Sequence, residues 1–99
     1  MEAVVVYADD TTEWRVVLVK EHVVYSDAVA VDIQSPYRLP TREDAQVLKS
    51  CSFPSEERFV TSDGYTFGMP SASVTKAGAK TKYSVIGLHV RRTVIVYDF

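Results

Sequence analysis

The sequence predicts a small, sheet-dominated α+β domain with one helix on one face of the sheet. Valine accounts for 17 of the 99 residues, against 4 leucines and 3 isoleucines. Valine packs well on a pleated sheet because its χ1 angle is restricted, so this bias favours strands. A single clear helix signal occurs, over residues 41–51. We expect one domain over residues 1–99, with about six or seven mostly antiparallel strands.

Three strands are predicted in the first third of the chain. Residues 3–8 (AVVVYA) are apolar without alternation, which is typical of a strand buried on both faces. Residues 13–25 alternate weakly and include five valines, which favours a strand over a helix. Residues 28–33 have apolar side chains at every second position, as in a third strand. If residues 12–23 were helical instead, the order of elements would approach a ferredoxin-like layout.

The predicted helix over residues 41–51 begins with a capping signal. The Thr41 hydroxyl is placed to accept from the backbone three residues on, and Asp44 is placed to reach back, as in a capping box. Glu43 in the first turn suits the helix dipole. Pro54 follows closely, so the helix is expected to end before it.

The second half of the chain is predicted to contain a hairpin, a loop and a C-terminal strand region. Asp63-Gly64 lies between short apolar segments in residues 58–67, which is a strong hairpin signal. Residues 68–82 are small, polar and basic, which predicts a mobile loop; long loops in small domains are usually functional. Residues 83–90 and 93–98 are predicted to form two strands or one long bent strand.

Composition and charge limit the classes of function. Residues 1–63 carry a net charge of −6 and residues 64–99 a net charge of +4, although the whole chain carries only −2. Such segregation is typical of an interaction surface or of two halves that neutralise each other. No apolar run approaches the roughly 20 residues of a membrane helix, and no signal peptide is recognisable. Cys51 is the single cysteine, so a cytoplasmic location without disulfides is expected.

A short motif suggests metal chemistry. Tyr7-Ala8-Asp9-Asp10 follows an apolar strand and resembles the YxDD hairpin of reverse transcriptases. The resemblance covers four residues and the strand, and it implies that the two aspartates hold a divalent metal for phosphoryl transfer. Asp32 is the candidate for a third ligand. A metal-dependent nuclease is therefore one interpretation, although the chain is too short for a palm domain and a polar turn explains the motif.

No other residues have the spacing of a catalytic site. His22, His89 and Cys51 are far apart in sequence, and no serine lies in a nucleophile-elbow pattern. We therefore expect no catalytic residue, no metal and no cofactor, and we expect that the protein is not an enzyme.

Nucleic-acid binding is the alternative function. Basic residues beside an aromatic residue can form a platform for single strands. The candidate contacts lie in the basic C-terminal third: Lys76, Lys80, Lys82, Arg91, Arg92 and Tyr83. The overall pI of about 5.6 argues against this function, because dedicated nucleic-acid binders are usually basic throughout.

The leading interpretation is a non-enzymatic interaction protein that forms a homodimer and binds or inhibits a macromolecular partner. The terminal strand is the candidate interface, because it is β-prone and contains neither proline nor glycine. Val94, Val96 and Arg92 are the residues predicted to meet the partner, which is a second copy or an unidentified protein. Small chains of this kind are often accessory proteins of viruses, phages or plasmids.

Overall fold

The computed structural model describes residues 3–51, 57–68 and 72–92. These residues form a six-stranded sheet in the order β1-β2-β6-β3-β4-β5, with two short helices. All strand pairs are antiparallel except β3 and β6, which run parallel. The predicted class, a small sheet-dominated α+β domain, is confirmed. The elements are β1 (Val4–Ala8), β2 (Thr12–Val24), α1 (Tyr25–Ala28), α2 (Arg42–Leu48), β3 (Phe59–Val60), β4 (Tyr65–Phe67), β5 (Thr75–Lys76) and β6 (Lys82–Arg92).

Strand β6 is the centre of the sheet. It pairs with β2 along its whole length and with β3 at Ser84. Residues 83–88 are all buried, because both faces of the strand are covered. The side chains of β6 point alternately to the two faces of the sheet. Ile86 and Leu88 belong to the core on one face, whereas Tyr83 and Val85 belong to the core on the other.

Each face of the sheet therefore has its own core. On the first face, α2 contributes Ala45 and Leu48, which pack with Ile86 and the two phenylalanines of β3 and β4. On the second face, Ala28 of α1 and apolar side chains of residues 29–39 cover Val85. The sequence predicted one helix on one face, and the second layer was not foreseen.

Several predicted elements are confirmed. β2 is a continuous strand and not a helix, which excludes the ferredoxin-like layout. α2 begins after Thr41, whose side chain forms the capping box with Asp44, although the helix ends at Leu48 and is shorter than predicted. Asp63-Gly64 connects β3 and β4, and Gly64 has a φ of 92°, which favours glycine.

The strand predicted over residues 28–33 is wrong. The chain instead forms α1 and a tight turn, in which Val29 N–H donates to Tyr25 O and Val31 N–H donates to Ala28 O. Val31 and Ile33 pack on the second core from this turn segment. Apolar residues at alternate positions satisfy this packing without a strand, so the alternation misled the prediction.

The predicted burial of residues 3–8 is also wrong. β1 lies at the edge of the sheet, and Val4, Val5 and Tyr7 are 50%, 46% and 42% exposed. The same apolar pattern suits a central strand or an unprotected edge, because composition does not determine strand order.

Residues 68–82 differ from the predicted loop, because they contain β5. The guanidinium of Arg58 donates to the carbonyls of Gly68 (2.7 Å) and Ser73 (2.6 Å), which fixes both ends of the connection that leads to β5. The hydroxyls of Thr66 and Thr75 lie 3.2 Å apart and join β4 to β5.

Candidate functional site

The two edges of the sheet differ in length and charge. β5 has two residues and carries Lys76, and a short, charged edge strand discourages pairing with another chain. β1 has five residues and no charged or proline residue. β1 pairs only with β2 among the described residues, so its outer row of backbone N–H and C=O groups has no partner strand. The β1 edge, residues 4–8, is therefore the candidate site.

Strand β1 is held firmly by β2. Val4 pairs with Val16 and Tyr7 pairs with Trp14, and the register shifts by one residue between Val5 and Tyr7. The rings of Tyr7 and Trp14 make an edge-to-face contact with centroids 6.1 Å apart. Such a contact adds stability beyond the buried area. The edge is thus ordered before any partner arrives, which lowers the entropic cost of binding.

Asp9 closes the hairpin that ends β1. Its Oδ1 accepts from the backbone N–H and the hydroxyl of Thr11 (2.8 and 3.1 Å) and from those of Thr12 (2.7 and 3.0 Å). These hydrogen bonds, led by the backbone N–H of Thr11, lower the pKa of Asp9 to about 2. The carboxylate of Asp9 therefore stabilises a turn, which agrees with the interpretation of the YxDD motif as a polar turn. No three His, Cys, Asp or Glu side chains in the described ranges are grouped as metal ligands.

The predicted nucleic-acid contacts lie in separate places. Lys76 lies on the edge strand β5, Lys80 and Lys82 lie just before and at the start of β6, and Arg91 and Arg92 lie at its end. The nine steps from Lys82 to Arg91 span roughly 30 Å of extended chain. The structure therefore does not bring the five cations together.

Tyr83 is not available for stacking. It is buried in the second core, and its hydroxyl accepts from the N–H of Gly78 at 2.8 Å. The predicted role in a base-stacking platform is corrected: β6 is central, so Tyr83 points into a covered face of the sheet.

The predicted partner contacts lie only partly within the structure. Val94 and Val96 lie outside the described residues. Arg92 is exposed at the end of β6, opposite Thr12 of β2. β6 lies inside the sheet up to that point, and the edge available for pairing is β1, which sequence reasoning assigned to the interior. No local signal could have identified it, because an apolar run suits a central strand as well as an edge strand.

The candidate nucleophile residues occupy separate environments. His22 has a φ of 59°, and its N–H and Nδ1 lie 2.8 and 2.9 Å from the carboxylate of Glu57. Hydrogen bonding by the His22 side chain lowers the pKa of Glu57. The His89 ring rests against Tyr37. Burial raises the pKa of the Cys51 thiol, which disfavours the nucleophilic thiolate.

Comparison with protein-family models, curated proteins and solved structures finds no match. No helix within the described ranges is both long enough and apolar enough to cross a membrane.

Proposed function

We propose that this protein is a non-enzymatic interaction module that forms a homodimer through the β1 edge. The observation that carries the proposal is the exposed, uncharged strand Val4–Ala8 at one side of an otherwise protected sheet. Natural edge strands usually carry a charge, a proline, a β-bulge or a cover, because a bare edge pairs with other chains. β1 has the register shift between Val5 and Tyr7, but it has no charge and no proline. A bare edge that is retained in a small domain is explained most simply by a partner strand.

A second copy of the chain is the partner that fits best. Antiparallel pairing of β1 with β1 of a second copy places the same residues on both sides, as a two-fold dimer requires. Neither strand brings a charge to the ladder within residues 4–8, so self-pairing causes no repulsion there. The ladder satisfies the outer backbone groups, and the exposed parts of Val4, Val5 and Tyr7 lose contact with water. In this arrangement the sheet continues from one protomer into the other.

The small size of the edge predicts moderate affinity. Three half-exposed side chains and one short ladder bury much less than the roughly 800 Å² per partner of a standard stable interface. The dimer is therefore expected to dissociate in the micromolar range, where protomers can also pair with the strand of a foreign protein. A second protein partner would bind in the same way, by strand addition.

The test is the association state of wild type and of Val5→Glu. Val5 lies opposite Arg15 of β2, so a glutamate at this position remains compatible with the fold. The variant puts a negative charge on the pairing edge of both protomers, and we expect at least about tenfold weaker association. Analytical ultracentrifugation from micromolar to millimolar concentration should show wild type approaching twice the 11.1 kDa of the chain.

The matched control is Val47→Glu. Val47 is also an exposed valine (36%), but it lies on α2, away from β1. This variant should dimerise as wild type does. A wild-type chain that stays monomeric at every concentration would refute the proposal, and so would equal loss of dimer in both variants. Circular dichroism verifies that each variant is folded.

A further inference from the structure

A second, independent feature lies on the face of the sheet opposite α2. A cavity of about 410 Å³ opens between β2 and the segment that follows α1. This volume is in the range of small-molecule sites. We call it the β2 cavity; its lining residues are Val17, Val19, Asp32, Ile33, Gln34 and Tyr37.

Gly87 positions the segment that closes the cavity. A Cβ atom at this position would lie 3.0 Å from Tyr37 Cβ, 3.1 Å from Ile33 Cγ2 and 3.2 Å from Val17 Cγ1. The absence of a side chain therefore lets the segment rest directly on β6. Glycine in a strand often marks such a close approach.

The wall that carries Tyr37 is fixed at several points. The N–H of Tyr37 donates to Gln34 O at 3.0 Å, and the ring packs on His89 with centroids 5.7 Å apart. The next residue, Arg38, exchanges two backbone hydrogen bonds with Leu88 of β6 (3.0 and 2.6 Å). The β2 cavity is thus preformed, which favours binding because little ordering is needed.

Three polar side chains line the cavity. Those of Asp32 and Gln34 are exposed to water, and the structure shows no hydrogen bond or ion pair from the side chains of Asp32, Gln34 or Tyr37 to another described residue. Asp32 supplies a negative charge, Gln34 an amide and Tyr37 an aromatic face. Val17, Val19 and Ile33 supply an apolar wall.

We propose that the β2 cavity binds a flat organic cation of the amidinium or guanidinium class. A carboxylate such as that of Asp32 holds a planar cation by two parallel hydrogen bonds, which a single-point ammonium does not provide. The Tyr37 ring accommodates the face of the cation, and the valines accommodate the attached apolar body. Such a group is presented by a free small molecule or by an arginine side chain of a peptide.

The experiment is an NMR titration of the ¹⁵N-labelled protein with benzamidine. Benzamide, the neutral isostere, is titrated as the uncharged control. A capped Gly-Arg-Gly peptide is titrated to represent an arginine side chain. We expect amide shifts in residues 17–19, 32–35 and 37, with the millimolar dissociation constant normal for so small a probe. Benzamide and the Asp32→Asn variant should each weaken binding by about tenfold or more. The matched control is Asp27→Asn, which removes an exposed carboxylate of α1 that does not line the cavity. This variant should bind benzamidine as wild type does.

The outcomes separate the two sources of the cation. Tighter binding of the peptide than of benzamidine supports an arginine side chain, and the reverse order supports a free small molecule. Equal binding of benzamide and benzamidine overturns the proposal, as does unchanged binding in Asp32→Asn. Shifts confined to other parts of the chain also overturn it. The titration measures cation binding and not association, so its result tests the cation site independently of the homodimer.

Discussion

Replacement of Gly87 by alanine tests the packing that creates the β2 cavity. The added Cβ would approach three atoms at 3.0–3.2 Å, closer than ordinary van der Waals contact. The nearest, Tyr37 Cβ, is attached directly to the backbone, and the other two belong to β-branched side chains with restricted χ1. Tyr37 Cβ cannot rotate aside, so the segment that carries Tyr37 must move away from β6 by a few tenths of an ångström.

The expected magnitude follows from two opposing effects. Overpacking of a close-packed site costs typically about 1–3 kcal/mol. Alanine also lowers the conformational entropy of the unfolded chain relative to glycine, which stabilises the folded protein by about 0.4–1 kcal/mol. The midpoints of these two ranges leave a net destabilisation of about 1.3 kcal/mol, which corresponds to a fall in Tm of roughly 5–10 °C for a domain of this size.

Thermal and urea unfolding, followed by circular dichroism, measure this change. Gly78→Ala is the matched control: its Cβ would lie 3.3 Å from the hydroxyl of exposed Thr81, which is able to turn aside. Its stability should remain within about 0.5 kcal/mol of wild type. A Gly87→Ala protein as stable as wild type, or a larger loss in Gly78→Ala, would refute the reasoning. Gly87→Ala should also weaken benzamidine binding, because the cavity wall moves.

Three further predictions concern stability. Leu48→Ala should destabilise the protein by about 2–5 kcal/mol in urea unfolding, because this side chain is fully buried between α2 and the sheet; a loss below 1 kcal/mol would contradict that placement. Thr41→Ala should cost about 0.5–2 kcal/mol by removing the cap of α2, whereas Thr41→Ser should cost little. The folded pKa of Asp9, about 2, lies below its ordinary value of 3.8. Its contribution to stability is therefore present above about pH 4 and lost as the pH falls towards 2. Asp9→Asn should remove this part of the acid dependence and Asp10→Asn should not; identical acid profiles of Asp9→Asn and wild type would exclude the mechanism.

The elements that depend on residues close in sequence could be predicted from the sequence alone. The capping box of Thr41 and Asp44 involves residues three apart, so it can be recognised without knowledge of the fold. The Asp63-Gly64 turn requires a left-handed glycine and is equally local. The five valines of β2 outweighed the competing helix, since their preference for a pleated surface adds along the segment.

Most of the errors concern contacts between distant parts of the chain. Whether an apolar strand lies at the centre or the edge depends on strand order, and this decided the exposure of Val5 and the burial of Tyr83. The segment after α1 is apolar because it covers β6, and that role depends on Gly87 far along the chain. The β2 cavity could not be predicted for the same reason, since its two walls meet only in the folded protein.

The β1 edge and the β2 cavity both involve β2 but use different residues of it. A variant of one site can therefore be tested for its effect on the other. Val16 pairs with Val4 and enters the core beneath α2, whereas the adjacent Val17 points to the opposite face and lines the cavity. A partner strand at β1 therefore adds no side chain to the cavity lining, and a cation beside Asp32 does not occupy the outer edge of β1. Val5→Glu should weaken association by at least about tenfold and leave benzamidine affinity unchanged. Asp32→Asn should weaken benzamidine binding by about tenfold or more and leave association unchanged. If benzamidine changed the dissociation constant of the dimer, the two sites would be coupled, and dimerisation would then have to change benzamidine affinity by the same factor.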